Sequence, residues 1–283
     1  MMIRHEPDRI EHIGDALIQH GPLNDRVYIM KIGSSDPKKL IEKVEVLAVD
    51  EGYSKVFAKV PATLARLFID AGYEKEACVS GYFRGRESAL FLGKYLQKFR
   101  KKEDCRDELD RIADLAIKRY HAGNPVCQTG LPFRIRPCNR TDAPLMSRLY
   151  ARVFQSYPFP IDYPEYLIQT MENDVDYFGV EVHGNLVALS SAEMDRNEEN
   201  VEMTDFATLP EWEGNGLAFN LLLAMEKEVR AKGIRTAYTI ARAASVGMNI
   251  TFARGGYCFG GRLINNTNIS GHIESMNVWF KSL

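Results

Sequence analysis

The chain has 283 residues, 45% of them hydrophobic, so it is long enough to bury the core of one large domain or two modest ones. Its 36 basic and 38 acidic residues give a net charge of -2, which argues against broad attraction to nucleic acids or membrane surfaces. The five cysteines are scattered without a CxxC pair, so neither a disulfide framework nor a metal site is expected.

The N-terminal segment is charged and has no apolar signal core. No apolar run approaches the roughly 18 residues that a membrane-spanning helix needs. We therefore expect a cytoplasmic protein without a membrane partner.

The first half of the chain resembles the second half. Residues 52–83 parallel residues 233–264, because in both a glycine ends a helix, a β-rich strand follows, and a short helix ends at a Gly-Tyr step. Upstream, a strand and the helix predicted from Asp36 to Gly52 parallel residues 201–233. We interpret the pattern as an internal duplication, with chance similarity between two αβ units as the alternative.

The duplication suggests three regions. Residues 1–93 are predicted to form a degenerate N-terminal copy, residues 94–130 a charged helical connector, and residues 131–283 the second domain. The basic run in the connector is typical of a solvated helix face rather than of a nucleic-acid patch.

The second half alternates strands and helices in the order βααβββαβαββ, which predicts a mixed α/β (α+β) domain. A strand is expected at 133–137 and a helix at 141–157. A proline-rich link then leads to a second helix, and a hairpin turn falls at His183-Gly184-Asn185. A further strand at 201–209 leads into a glycine-rich loop and a helix that ends at Gly233.

The loop between that strand and that helix has the sequence Glu213-Gly214-Asn215-Gly216-Leu217-Ala218. Glycines just before a helix let an anion approach the free amides of the first turn. The sequence is neither a P-loop nor a GxGxxG dinucleotide motif. By itself GxGxA is a weak signal, and a structural tight turn is the alternative.

The strand order together with this loop resembles the GNAT acetyltransferases over roughly residues 131–283, which implies a GNAT fold with a mixed, mostly antiparallel sheet. The family loop is (Arg or Gln)-x-x-Gly-x-(Gly or Ala) and binds the pyrophosphate of acetyl-CoA, so acetyl-CoA is the implied co-substrate. Glu213 departs from the family pattern, and we expect its side chain to turn away from the phosphates. The resemblance assigns cofactor contacts to the loop and to the following residues: Phe206, Ala207, Thr208, Glu213, Gly214, Asn215, Gly216, Leu217, Ala218, Asn249 and Phe252.

Two of these positions carry their own alternatives. Asn249 occupies a place where the family often has an asparagine touching pantetheine, but it could equally cap the helix. Phe252 stands where many members have a tyrosine that protonates the departing thiolate, so another donor serves or the thiolate leaves unprotonated.

Several further segments are similar to the β-lysine N-acetyltransferases: TDFATLPEWEGNGLA, YTIARAASVGMNITFARGGY, NNTNISG and ESMNVWFKSL. That resemblance implies direct acetyl transfer to the side-chain amine of β-lysine, giving Nε-acetyl-β-lysine, a compatible solute. Another diamine, a diamino acid or a protein lysine is the alternative acceptor. A non-catalytic acyl-CoA sensor is the alternative from a different class. The expected partner is a small amine, and a homodimer is left open.

Proton removal from the amine requires a base, since a lysine-type amine has a pKa of about 10.4. Glu202 lies eleven residues before Glu213, where histone-acetyltransferase-type members of the family place their basic glutamate. An exposed strand acid is the competing interpretation. Asp205 is the second candidate, for catalysis or for binding the substrate ammonium. Strict alternation places it on the opposite face unless a bulge intervenes.

The acceptor also needs groups for its carboxylate. Arg242, at the end of a strand, is a candidate for a bidentate contact. Asn265, Asn266 and Thr267 are a polar cluster that either binds substrate or forms a simple turn. Among the tyrosines of the proline-rich link, Tyr163 is assigned to substrate, and Tyr157 and Tyr166 either cover the substrate too or only pack.

Overall fold

The computed structural model describes residues 8–121, 133–155, 157–269 and 271–283. Its strands are β1 (Arg9–Ile13), β2 (Ala16–Gly21), β3 (Arg26–Lys31), β4 (Lys55–Pro61), β5 (Glu74–Phe83), β6 (Glu87–Tyr95), β7 (Arg134–Pro137), β8 (Val175–Val182), β9 (Asn185–Asp195), β10 (Asn200–Thr208), β11 (Thr236–Arg242), β12 (Cys258–Ile269) and β13 (His272–Ser282). Its α-helices are α1 (Pro37–Asp50), α2 (Ala65–Asp70), α3 (Arg106–His121), α4 (Ala143–Val153), α5 (Pro164–Met171), α6 (Leu217–Ala231) and α7 (Val246–Arg254).

The order of elements from β7 to β13 is βααβββαβαββ, as the sequence predicts. All strands belong to one sheet with the order β1-β2-β3-β4-β6-β5-β12-β13-β11-β10-β9-β8-β7. In the first half, β3 and β4 are parallel with α1 between them in the chain, and in the second half β10 and β11 are parallel with α6 between them. The two halves therefore repeat one topology and meet through β5 and β12.

The predicted division into three regions cuts through continuous structure. The boundary at residue 93 falls inside β6, which continues to Tyr95. Helix α3 then packs against α7 of the second half. Residues 122–130 of the predicted connector lie outside the described residues. The two copies share one sheet, and the division itself remains a prediction.

Apolar side chains from both halves form a cluster on one face of the sheet, which we call the seam cluster. Helices α1 and α2 cover a separate core of the first half, and α4 to α7 cover the core of the second. The rings of Tyr82 and Tyr238 lie 5.1 Å apart, so a first-half strand contacts a second-half strand directly. The seam cluster consists of Tyr28, Phe57, Ala77, Val79, Tyr82, Ala89, Phe91, Tyr238, Leu263, Met276 and Val278.

The sheet curls around the seam cluster. Lys31 of β3 and Asp195 of β9 form an ion pair of 2.7 Å, although these strands are the third and the eleventh in the sheet. The curl forms a cavity of about 890 Å³ that is open to solvent on one side and lined by both halves. In the described part of the chain, none of the helices has the length and apolar character to cross a membrane.

Glycines permit the close contact between β5 and β12. Gly261 pairs with Ala77, and its φ is 136°, a conformation that side-chain-bearing residues rarely adopt. A Cβ at Gly261 would lie 2.3 Å from the carbonyl oxygen of Glu76. The seam therefore requires a residue without a side chain at this position.

Gly261→Ala should lower the free energy of unfolding by about 3–5 kcal/mol, because backbone strain and a clash with β5 add together. Gly184→Ala is the matched control, since Gly184 has φ 78° but open space around it. The control should cost about 1–2 kcal/mol. Urea unfolding of both variants measures the difference, and equal losses would contradict the role given to the seam.

Candidate active site

Helix α6 begins with a terminus that no side chain caps. Gly214 has φ 78° and Gly216, the N-cap, has φ 70°, so both adopt the left-handed conformation that favours glycine. The first-turn amides of a helix have no intrahelical acceptors, and the helix dipole favours negative charge there. Glu213 is exposed at the start of this loop. The loop lines one end of the cavity, so it can hold an anionic group there.

The corresponding terminus in the first half is already filled. The Asp36 carboxylate accepts a hydrogen bond of 3.0 Å from the Lys38 amide at the start of α1. Pro37 follows Asp36 and has no amide hydrogen to offer. This copy therefore supplies its own negative charge at the helix terminus, where the second half leaves the amides free for an external anion.

Strand β10 is bulged where it enters the site. Its antiparallel register with β9 shifts between Thr204 and Ala207, and Asp205 has φ 54°. The bulge breaks the alternation of side chains, so Asp205 lines the cavity together with Glu202. Strict alternation, which would place Asp205 on the opposite face from Glu202, is therefore wrong. The bulge, which was the alternative prediction from the sequence, is present.

The bulge also affects the backbone beyond Asp205. Pairing of β10 with β11 covers Asn200–Glu202 and Thr236–Tyr238, after which the two strands diverge. Phe206 and Thr208 line the cavity, whereas Ala207 is buried in the core beneath it. The diverging edge leaves room for an extended chain beside residues 206–208.

The cavity contains a pair of glutamates that face each other across two strands. Glu193 of β9 is directly opposite Glu202 of β10 in the antiparallel register. Packing of protein around the cavity raises the pKa of each carboxyl, although Glu193 keeps access to solvent through the open side of the cavity, and for Glu193 the negative charges of Asp205 and Glu202 raise the pKa further. A carboxylate with a raised pKa is better matched to proton transfer near neutral pH.

Glu202 has its own local partners. The hydroxyl of Tyr238 and the backbone amide of Ile240 interact with its carboxylate, and the positive charge of Lys59 lies nearby. These groups lower the pKa of Glu202 and so partly offset the effect of burial. Glu202 is half-buried rather than fully exposed on the strand.

Asp205 is buried and held by two hydroxyl groups. Tyr157 donates to Oδ1 at 2.5 Å and Ser191 donates to Oδ2 at 2.6 Å. Burial raises the pKa of Asp205, and these hydrogen bonds oppose the rise. Burial and the neighbouring Asp205 also raise the pKa of Tyr157, so its hydroxyl keeps its proton and remains a donor. Both oxygens of Asp205 are thus engaged within the protein.

Asn249 is fully buried and its amide is used inside the protein. Its Nδ2 donates to the carbonyls of Arg242 and Ser245, and its Oδ1 accepts from Asn277 and Trp279. Asn249 thereby fixes the turn between β11 and α7. It lies outside the set of described residues that line the cavity.

Phe252 does line the cavity, and its ring meets that of Phe206 edge-on at 5.5 Å. The two rings pack across the gap between α7 and the diverging end of β10. The apolar contact gives this end of the cavity a hydrophobic wall next to the glycine loop.

The predicted acceptor residues fall in different places. Arg242 lines the cavity, but its Nε and Nη2 atoms already bind Glu274 at 2.9 and 2.6 Å. Asn266 and Thr267 line the cavity, whereas the Asn265 side chain donates to the carbonyls of Arg100 and Lys102. These residues belong to an irregular part of β12, so the simple-turn interpretation is wrong.

The tyrosines of the proline-rich link are also separated. Tyr157 lines the cavity and contacts Asp205. Tyr166 packs against the core of the second half. Tyr163 is 44% exposed and lies outside the set of described residues that line the cavity. Of the three, Tyr157 is the one placed near the acids.

The first half contributes a wall of the cavity that was not predicted from the sequence. Lys59, Tyr28 and Tyr82 line the cavity opposite the acids of β9 and β10. Lys59 stands inside the apolar run VFAKV, and Glu193 ends the apolar run LVALSSA. Burying a charged residue in an apolar strand costs free energy unless the charge has a partner or a function. Lys59 and Glu193 could therefore have been predicted from the sequence as candidate site residues.

The fold, the uncapped α6 terminus and the bulged strand beside it define an acetyltransferase of the GNAT type. The sequence model of the acetyltransferase (GNAT) family matches residues 144–249. The chain is 41% identical over 278 residues to the β-lysine N(6)-acetyltransferase of Methanococcus maripaludis, covering 97% of this chain and 98% of that protein. The chain belongs to the GNAT family of N-acetyltransferases, which use acetyl-CoA.

Two further relatives extend over most of the chain. The N-acetyltransferase YodP of Bacillus subtilis is 33% identical, with 95% of this chain and 96% of that protein covered. The β-lysine N(6)-acetyltransferase of Methanosarcina mazei is 30% identical, with 85% and 95% covered. Because the similarity reaches well beyond residues 144–249, it includes the first half.

Gly216→Val should raise the KM for acetyl-CoA by at least about 10-fold, because a β-branched residue disfavours the left-handed conformation and blocks close approach to the amides. Gly233→Val is the control, since Gly233 has φ 84° at the other end of the same helix. Steady-state kinetics on folded protein measures both. An unchanged KM in Gly216→Val would show that the loop is only structural.

Proposed function

We propose that this enzyme transfers the acetyl group of acetyl-CoA directly to the side-chain amine of β-lysine, giving Nε-acetyl-β-lysine. The observation that carries the proposal is the 41% identity to a β-lysine N(6)-acetyltransferase over nearly the full length of both chains. We further propose that the reaction takes place in the cytoplasm and that the product serves as a compatible solute.

The donor end of the cavity fits acetyl-CoA. The amides of residues 214–218 offer an uncapped helix terminus to the pyrophosphate. The diverging edge at Phe206–Thr208 leaves backbone groups for pantetheine, and an amide there can polarise the thioester carbonyl. Phe206 and Phe252 supply an apolar wall beside this path. Acetyl-CoA contributes the activated acetyl group, and the protein contributes its placement.

The acceptor end fits a molecule with two ammonium groups and one carboxylate. Glu193, Glu202 and Asp205 lie together in the cavity and supply negative charge. Lys59 and Arg26 supply positive charge on another wall. Both signs of charge are thus present for a diamino acid, whereas a simple diamine has no carboxylate to meet the buried guanidinium of Arg26.

Glu202 is the proposed general base. It faces the cavity beside the diverging edge, and its pKa is raised mainly by burial. Asp205 is a weaker candidate because Tyr157 and Ser191 already bind both of its oxygens, so we assign it to positioning. The thiolate of CoA can leave without an acid at Phe252, since a thiol pKa of about 8.5 is close to ambient pH.

A CoA-release assay tests the function with β-lysine, α-lysine, simple diamines and a lysine-containing peptide. We expect β-lysine to give the highest kcat/KM. Faster turnover of another amine would replace the acceptor, and no turnover with any amine would favour an acyl-CoA sensor. Mass spectrometry of the product identifies which amine carries the acetyl group.

Glu202→Gln keeps the shape of the side chain but cannot accept a proton, so kcat at pH 7 should fall about 10²–10⁴-fold. In the wild type, activity should rise as pH increases through the raised pKa of Glu202, because only the carboxylate is a base. The loss in the variant should shrink toward the amine pKa, where free amine forms unaided. A pH profile from 6 to about 10 follows both effects.

Glu193→Gln is the matched control, because it makes the same change directly across the strand pair. It should reduce kcat less than Glu202→Gln and move the acid side of the profile to lower pH, since it removes a neighbouring negative charge. A larger loss in Glu193→Gln would assign the base to Glu193 instead.

A further inference from the structure

Three polar side chains in the cavity wall have buried atoms without a hydrogen-bond partner. Gln19 of β2, Arg26 of β3 and Asn266 of β12 are 2%, 5% and 1% exposed, and all three line the cavity. Within the described residues, Gln19 Nε2, Arg26 Nε and Asn266 Oδ1 lack partners. A buried polar atom without a partner costs free energy, so three in one wall need an explanation.

Arg26 is the strongest of these observations. Its Nη1 donates to the carbonyl of Asn266, and its guanidinium lies 5.3 and 5.4 Å from the ring centres of Tyr28 and Phe57. No carboxylate within the described residues forms an ion pair with it. Arg26 Nη1 also lies 3.4 Å from the Thr267 hydroxyl. A buried cation held by rings, a carbonyl and a hydroxyl, but by no acid, is stabilised by an incoming anion.

The nearest acids of the protein are committed elsewhere. Asp8 accepts from the Asn24 side chain and the amides of Leu23 and Asn24. Glu76 pairs with Lys55 at 2.9 Å. Burial lowers the pKa of Arg26 to about 10, so the guanidinium stays charged at neutral pH.

The three side chains occupy adjacent positions. Gln19 is directly opposite Tyr28 in the β2–β3 register, and Arg26 is two residues before Tyr28 on the same face. Tyr28 in turn lies within electrostatic range of Glu202. A substrate that extends from Arg26 past Tyr28 would therefore place its far end near the proposed base.

We propose that Gln19 and Arg26 of the first half bind the carboxylate of the acceptor, while the side-chain Oδ1 of Asn266 accepts a hydrogen bond from the acceptor's ammonium group next to that carboxylate. Two donors match a carboxylate. An acceptor beside them matches the 3-amino group of β-lysine, whose carbon is separated from the carboxyl carbon by one methylene group. The first half thus acts as the specificity wall of the second. This inference rests on the proposed function, because it assumes an acceptor with both groups.

Gln19→Leu tests the proposal most cleanly, because the Gln19 side chain has no hydrogen bond to lose within the described structure. The variant should fold with an unchanged or higher Tm. Its kcat/KM for β-lysine should fall about 10- to 100-fold through KM. For 1,4-diaminopentane, which is β-lysine without the carboxylate, kcat/KM (or Ki, where it only inhibits) should stay unchanged. The ratio of kcat/KM for β-lysine to kcat/KM for 1,4-diaminopentane should therefore fall about 10- to 100-fold in the variant.

Two further variants complete the experiment. Gln169→Leu makes the same change on the exposed face of α5 and should leave every constant at its wild-type value. Asn266→Leu should weaken β-lysine but spare 6-aminohexanoate, which lacks the neighbouring amine.

The outcomes separate the two levels of proposal. If the wild type does not acetylate β-lysine, the proposed function fails and this inference fails with it. If the wild type acetylates β-lysine but Gln19→Leu affects β-lysine and 1,4-diaminopentane equally, or neither, the function stands and the carboxylate site is refuted. Arg26→Gln provides a second check, with a larger loss of the same selectivity expected.

Discussion

The close contact of β5 and β12 is the constraint on which the rest of the structure depends. It requires a backbone conformation at Gly261 that only glycine adopts readily, because a side chain would meet β5. Through this contact two sheets become one, and the curl of that sheet brings β3 to β9. The cavity, and the meeting of first-half cations with second-half acids, exist because of that curl.

The two halves share a topology but differ where a ligand would touch them. At the start of α1, Asp36 gives the helix terminus its own carboxylate, whereas at the start of α6 the N-cap is Gly216. The Asp36 carboxylate thus occupies the helix terminus in the first half, whereas Gly216 leaves the corresponding terminus in the second half open to an anion. The first half instead contributes a sheet face with Arg26 and Lys59. These two cations line the same cavity as the acids of the second half.

The sequence predicted the second half well because its signals are local. Long periodic segments, the Gly233 helix end and the His183-Gly184 turn each depend on near neighbours. The loop at Gly214 and Gly216 was predicted for the same reason. The orientation of Asp205 was not, because a bulge depends on the register with β9 and leaves no mark in one strand.

Features that depend on distant pairing were missed altogether. Glu193 lies opposite Glu202 only because β9 and β10 adopt one register. Asn265 was assigned either to substrate or to a simple turn, yet it lies within β12, where Arg100 Nε donates to its backbone carbonyl and the Arg100 carbonyl accepts from its side chain. The wall formed by Gln19 and Arg26 follows from the curl of the whole sheet, which no single segment encodes.

The groups that bind the donor and the groups proposed to bind the acceptor carboxylate lie in different halves of the chain. The donor loop belongs to one copy, while the wall formed by β2 and β3 belongs to the other. Substitutions in that wall can alter the choice of acceptor without disturbing the helix terminus at Gly216. With the acceptor carboxylate assigned to that wall, acceptor choice can change through the first half while coenzyme recognition in the second half is preserved.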